Sequence, residues 1–124
     1  MAGVKLDGAG AQKMKTLEEA LATLQKIHGM VERMAIEVKN QRPAAVIPQQ
    51  IKRIAVPLQG QLKGQFGMIA DQVSAMILAS GRGGGEQLKV RAMREYVAQI
   101  RQALDITAAK VKEQHAVPIE TAGD

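Results

Sequence analysis

Apolar side chains recur at alternating steps of three and four along most of this chain, which is the spacing of one face of an α-helix. In the first third the series is Leu17, Leu21, Leu24, His28, Val31, Ala35 and Val38. At its start, Thr16-Leu17-Glu18-Glu19 has the form of a capping box, in which Thr16 and Glu19 satisfy exposed backbone amides. The pattern predicts a long first helix that begins near Thr16, or a few residues before it, and ends before Pro43.

Two further series with helical spacing follow. The first predicts a second helix from about Gln49 to Ser80, interrupted at Pro57. Proline removes a backbone hydrogen bond and clashes with the preceding turn, so this helix either kinks at Pro57 or ends there and a new one begins. The last series predicts a third helix from about Glu86 to Gln114, and its members are Val90, Met93, Val97, Ile100, Leu104, Ala108 and Val111.

Long helices joined by short connections predict an all-α fold, an up-down-up antiparallel bundle of three long helices. If the second helix breaks at Pro57, the bundle has four. We expect no sheet, since only 2% of the residues are aromatic. Helices this long in a small chain favour a core that is completed by oligomerisation. The predicted domain covers residues 13–116, between flexible segments at 1–12 and 117–124.

Composition excludes several classes of function. The chain of 124 residues has no cysteine, so it has no disulfide, thiolate metal site or cysteine nucleophile, and a cytoplasmic location is expected. No stretch approaches the roughly 20 apolar residues of a membrane span. The first twelve residues lack the apolar core of a signal peptide, so we expect neither secretion nor membrane insertion.

The polar residues form no known catalytic pattern. His28 and His115 are the two histidines, and neither has the ligand spacing of a metalloprotease or a di-iron helix. We interpret His28 as a half-buried side chain that is hydrogen-bonded to Glu32 or to a neighbouring helix. The glycine-rich run 80–85 lacks the Gly-Lys-Ser/Thr end of a phosphate loop and is interpreted as a hinge. We therefore expect no enzyme activity and no catalytic, cofactor or metal site.

Positive charge is concentrated in the middle of the chain. Residues 42–84 carry five Lys or Arg and one acid, Asp71, and many glutamines are interleaved. Such a surface can bind phosphates, and a narrow line of cations on the last helix extends it. The candidate phosphate contacts are Arg42, Lys52, Arg53, Lys63, Arg94, Arg101 and Lys112. The alternative is an ordinary solvated helix surface with interhelical ion pairs. Because aromatic residues are scarce, any contact with nucleic acid would be to its backbone.

Small residues line the other side of the predicted second helix, and we consider this a candidate packing face for an oligomer. Its members are Gly60, Gly64, Gly67, Ser74 and Leu78. An interior glycine costs a helix about 1 kcal/mol relative to alanine, so three of them need a reason. Either they allow a second helix to approach closely, or the helix breaks there.

Two functional hypotheses follow. The leading one is a non-enzymatic helical interaction protein, a self-associating scaffold or adaptor subunit that binds itself and another protein. The alternative is a basic accessory subunit that contacts the backbone of RNA or DNA within a larger complex.

Overall fold

A computed structural model describes residues 5–117, which form four α-helices and two very short strands. The helices are α1 (Gly8–Lys39), α2 (Val46–Lys63), α3 (Gly67–Gly81) and α4 (Glu86–Gln114). The strands are β1 (Lys5–Leu6) and β2 (Ala116–Val117). The predicted all-α bundle is confirmed, with four helices, and the bounds predicted for the last helix agree with α4.

Each helix packs against two neighbours. α1 contacts α2 and α4, and α3 contacts the same two helices from the opposite corner. Arg94 near the start of α4 meets Glu32 near the end of α1, and His115 at the end of α4 meets Asp7 at the start of α1, so these two helices run antiparallel. Gln61 near the end of α2 meets Glu19 in the first half of α1, and the short connection between the two helices makes α2 antiparallel to α1 as well. α2 and α3 have 18 and 15 residues, whereas α1 and α4 have 32 and 29. The long pair therefore extends beyond the short pair at one end.

The predicted apolar series form the core. Leu17, Leu24 and Val31 of α1 are buried, as are all the predicted positions of α4 except Ala108, which is half-buried. The largest side chains with almost no exposure come from all four helices: Leu24, Ile27, Met34, Ile51, Leu58, Leu62, Met76, Met93, Ile100 and Leu104. Burial of this apolar surface is the main term that stabilises the bundle.

The second predicted helix does not end at Pro57 but breaks after Lys63, among the glycines that were the other predicted break point. Pro57 lies inside α2, which continues for another turn and a half. The chain then turns through Gly64–Phe66, where the Phe66 amide donates to the Leu62 carbonyl at 2.7 Å and the Phe66 ring is buried. An unbroken helix would carry Val73 and Met76 away from the core, whereas the reversal at Phe66 returns them to it.

α1 also begins earlier than predicted. Its N-cap is Asp7, whose carboxylate accepts a hydrogen bond from the Gly10 amide at 2.6 Å. Thr16 lies within the helix, and its hydroxyl donates to the carbonyl of Gln12 instead of capping. The predicted capping box at Thr16 is therefore wrong, and α1 starts inside the segment that was expected to precede the bundle.

A two-stranded ladder joins the ends of the long helices, although no sheet was expected. Lys5 pairs with Val117 and Leu6 with Ala116, antiparallel, and the Asp7 amide donates to the His115 carbonyl. The ladder forms because α1 begins where α4 ends, so the backbone groups just outside both helices lie within reach of each other. The flexible segments predicted at 1–12 and 117–124 lie outside the described residues over 1–4 and 118–124.

Candidate interaction surfaces

The outer face of α3 carries the most exposed large apolar side chain of the described residues, Met68, together with Leu78. Of the 15 residues of α3, only Asp71 is charged. Met68 is 85% exposed and Leu78 is 66% exposed, although both belong to residue types that are usually buried. Met68, Asp71, Ala75 and Leu78 follow steps of three, four and three on the side away from the core, and we call them the α3 stripe. This is the spacing of a seam that packs against another helix.

The predicted small-residue face does not exist as one helix face. Gly60 lies in α2, Gly64 caps its end, and Gly67 opens α3 after the turn. A Cβ atom built on any of these three glycines would meet nothing within 4 Å, so none of them permits a close helix approach within the described chain. The other interpretation, a break of the helix at the glycines, is confirmed. Only Gly67, Ser74 and Leu78 still share a face, that of α3.

The outer face of α2 carries positive charge that no acidic residue of the same helix neutralises. Lys52, Arg53 and Lys63 are exposed, and α2 contains no Asp or Glu. Within the described residues none of the three forms a salt bridge or a side-chain hydrogen bond. We call these three residues the α2 basic face.

Two of the other candidate cations are held by acids. Arg42 binds the carboxylate of Glu37 through two nitrogens at 2.9 and 3.0 Å. Arg94 binds Glu32 across the α1–α4 contact in the same way, at 2.7 and 2.8 Å. The Arg94 guanidinium lowers the pKa of Glu32, and Glu32 raises the pKa of Arg94, since each favours the charged form of the other. For Arg94, the alternative of an interhelical ion pair is confirmed.

Arg101 and Lys112 are exposed on α4, which lies diagonally across the bundle from α2. They therefore do not join the α2 basic face, and the structure separates the seven predicted cations into several places. Sequence alone could not do so, because helix positions show which face a residue takes but not which helices are neighbours.

A groove between α1 and α4 was not predicted. It has a volume of about 720 Å³ and is lined by Ala35, Ile36, Val90 and Ala98 among other side chains. The Glu32–Arg94 ion pair separates it from a smaller groove of about 320 Å³ lined partly by Leu21 and His28. The sequence signal was the small size of Ala35 and Ala98, which leaves space between two helices that are otherwise in contact.

His28 does not have the environment that the sequence suggested. Its side chain is 51% exposed, and its Nε2 lies 3.8 Å from the nearest Glu32 oxygen, too far for a hydrogen bond. Glu32 is directed to Arg94 instead, because a guanidinium can satisfy both carboxylate oxygens at once. The prediction of a half-buried, hydrogen-bonded His28 is wrong.

His115 joins the two chain ends through its side chain. Its Nδ1 lies 3.1 and 3.2 Å from the Asp7 carboxylate oxygens, and its Nε2 lies 3.0 Å from the Lys13 Nζ. This arrangement fits an imidazole that donates from Nδ1 and accepts at Nε2. The Gly10 amide and the His115 ring both lower the pKa of Asp7, the amide being the larger cause. We call Asp7, Lys13, His115 and the ladder the terminal clasp.

The lowered pKa of Asp7 predicts acid sensitivity of the clasp. The folded protein holds the Asp7 proton less tightly than the unfolded chain, so the contribution is complete above the ordinary pKa of 3.8 and is lost as the pH falls through the folded value. Asp7→Asn should flatten the dependence of the melting temperature on pH below about 4. Asp105→Asn, which changes an exposed carboxylate on α4, is the matched control and should leave that dependence unchanged. Equal profiles for wild type and Asp7→Asn would contradict the prediction.

Within residues 5–117, no three His, Asp or Glu side chains come together as a metal-binding group. None of the described helices has the length and apolar content that crossing a membrane requires.

Comparisons of the chain with protein-family models, with curated proteins and with solved structures return no match.

Proposed function

We propose that the protein is a non-enzymatic helical assembly subunit that self-associates through the α3 stripe. The observation that carries the proposal is the exposure of Met68 and Leu78 on a helix with a single charged residue. A helix that is apolar on most of its circumference is normally buried on most of its circumference. No helix or strand within residues 5–117 covers the outer side of α3, and a second molecule that packs on it would bury it.

A second copy suits the stripe because the spacing is self-complementary. When two α3 helices pack antiparallel about a twofold axis, Met68 lies opposite Leu78 of the second copy and Asp71 lies opposite Ala75. Each large side chain then meets a large one at the ends of the seam. The small Ala75 leaves room for Asp71 to turn towards solvent. Twofold dimers of this kind are the commonest oligomers.

The size and charge of the surface set the strength of the association. α3 is about 22 Å long, so its stripe covers less than the roughly 800 Å² per partner of a standard interface. We expect a weak dimer whose population depends on protein concentration. Both copies carry the positive charge of Lys52, Arg53 and Lys63 on α2, the helix that packs beside α3, so added salt should screen the repulsion between the copies and strengthen the dimer.

The rest of the bundle is then free to act as a scaffold or adaptor towards another protein, with the α1–α4 groove as a further surface. Since a chain without cysteine needs no oxidising compartment, the proposal places the assembly in the cytoplasm.

Leu78→Glu tests the proposal. It places a charge in the seam, and because Leu78 is 66% exposed the bundle itself should fold as before. Sedimentation velocity over a concentration series should show a dimer for the wild type and a monomer for the variant, with at least a tenfold weaker association. Ile106→Glu, on α4 at a side chain that is 49% exposed, is the matched control and should dimerise like the wild type.

Three outcomes would refute the proposed dimer. One is a wild type that stays monomeric at the highest concentration, and another is Leu78→Glu dimerising like the wild type. The third is Ile106→Glu dissociating to the same degree as Leu78→Glu, because the apolar stripe of α3 would then not be what the association needs.

A further inference from the structure

We infer that the α2 basic face binds the phosphate backbone of nucleic acid. This inference is independent of self-association, because α2 and α3 are different helices and the α3 stripe contains none of the three cations. Of the seven predicted cations, Arg42 and Arg94 are engaged by Glu37 and Glu32. Arg101 and Lys112 lie on α4, diagonally across the bundle, which leaves these three on one helix.

The spacing of the cations suits a linear polyanion. Lys52 and Lys63 lie on one row of α2, about 17 Å apart along the helix, and Arg53 lies beside Lys52, about a quarter of a turn around the helix. Phosphates rise by about 3.4 Å per nucleotide along one strand of a duplex, so this distance covers roughly four to five nucleotides. Three long flexible side chains can therefore reach three separate phosphates of one strand.

The electrostatic field along α2 has one sign. α2 has no acidic residue, and its nearest acidic neighbour identified by contact, Glu19, accepts a hydrogen bond from Gln61 on the α1 side. An acid in the same row would repel phosphate and neutralise the field, as happens on α1 and α4. Exposed Gln49 on α2 adds a neutral donor for phosphate oxygens.

Aromatic side chains are not available for base recognition. The Phe66 ring is buried at the turn, and Tyr96 is half-buried against the core from α4. Binding should therefore be indifferent to base sequence and depend on salt. An acidic helical protein would instead require an apolar seam between the cations, and α2 offers only the single exposed Val56 there.

The inference is tested by the dependence of binding on salt. The probe is a fluorescein-labelled DNA duplex of arbitrary sequence, followed by anisotropy, with a second duplex of scrambled sequence. Three phosphate contacts predict a slope of log K against log salt of about −2.7, and dissociation constants of about 10⁻⁴ to 10⁻⁶ M at physiological salt. The triple variant Lys52→Gln, Arg53→Gln, Lys63→Gln should bind at least tenfold more weakly with a slope near zero. Each single variant should reduce the slope by about 1.

A second triple variant controls for net charge. Lys15→Gln, Lys26→Gln, Arg33→Gln removes three exposed cations from α1, where acids are interspersed, and should keep most of the affinity and the slope. All six side chains are exposed, so both triple variants should retain the helical circular dichroism of the wild type.

Three results would overturn the inference. The first is unchanged binding by the α2 triple variant, and the second is an equal loss in the α1 triple variant, which would assign the effect to net charge alone. The third is tight binding of a labelled poly-glutamate peptide through the same three residues when neither duplex binds, which would assign the face to an acidic protein.

Discussion

Phe66→Ala should lower the free energy of unfolding by about 3–5 kcal/mol, the usual cost of removing a buried phenyl ring. Phe66 is the only phenylalanine and is 9% exposed at the turn where α2 reverses into α3. Its amide also closes the turn by donating to Leu62. Loss of the ring leaves a cavity beneath the helix pair that carries both the α3 stripe and the α2 basic face.

Met68→Ala is the matched control for this prediction. Met68 lies two residues further on and is as large as many core side chains, but it is 85% exposed. Its truncation should change the free energy of unfolding by less than about 0.5 kcal/mol. Urea denaturation, followed by circular dichroism in dilute protein, measures both variants. Similar values for Phe66→Ala and Met68→Ala would show that the Phe66 ring does not hold the turn.

Gly10→Ala should lower the free energy of unfolding by about 1–3 kcal/mol, although alanine is the better helix former. A Cβ at Gly10 would overlap the Cβ of His115, an atom so close to the backbone that the two chain ends must move apart. We expect the variant to lose the hydrogen bonds of the terminal clasp. The amide of Asp7, which donates to the His115 carbonyl, should then exchange its hydrogen faster.

Gly29→Ala, in the same helix, should have the opposite sign. A Cβ at Gly29 meets nothing within 4 Å and the residue is exposed, so only the helix propensity changes. The free energy of unfolding should rise by about 0.5–1 kcal/mol. Thermal denaturation of both variants measures the sign of each change in stability. A stabilised Gly10→Ala would mean that His115 is not packed against α1.

Much of the bundle could be predicted from the sequence. The apolar series of α1 and α4 specify which residues of those helices are buried, because a helix places residues three and four apart on one side whatever it packs against. The glycines carried the signal for the break in the second helix, but Pro57 was the stronger helix breaker by type. Pro57 is tolerated because α2 is held by the buried residues on either side of it, Ala55 and Leu58.

Some properties of the candidate surfaces also follow from the sequence, and others depend on the tertiary structure. The sequence by itself determined that residues 42–84 are basic and that α3 has one charged residue, since both are local properties of composition. Only the tertiary structure decided which cations remain without a partner. Arg94 is paired because α4 lies beside α1. Lys52 has no acidic partner within residues 5–117, and Glu19, the acid that contacts α2, is bound to Gln61 on another side of the helix.

The terminal clasp is the clearest case of a feature that only the tertiary structure decided. Asp7 and His115 are separated by 108 positions, and nothing in the local pattern around either residue indicates the other. They meet because α1 and α4 are antiparallel neighbours of nearly equal length. The periodicity of each helix determines its buried face, but the chain reversals between helices determine which ends come together.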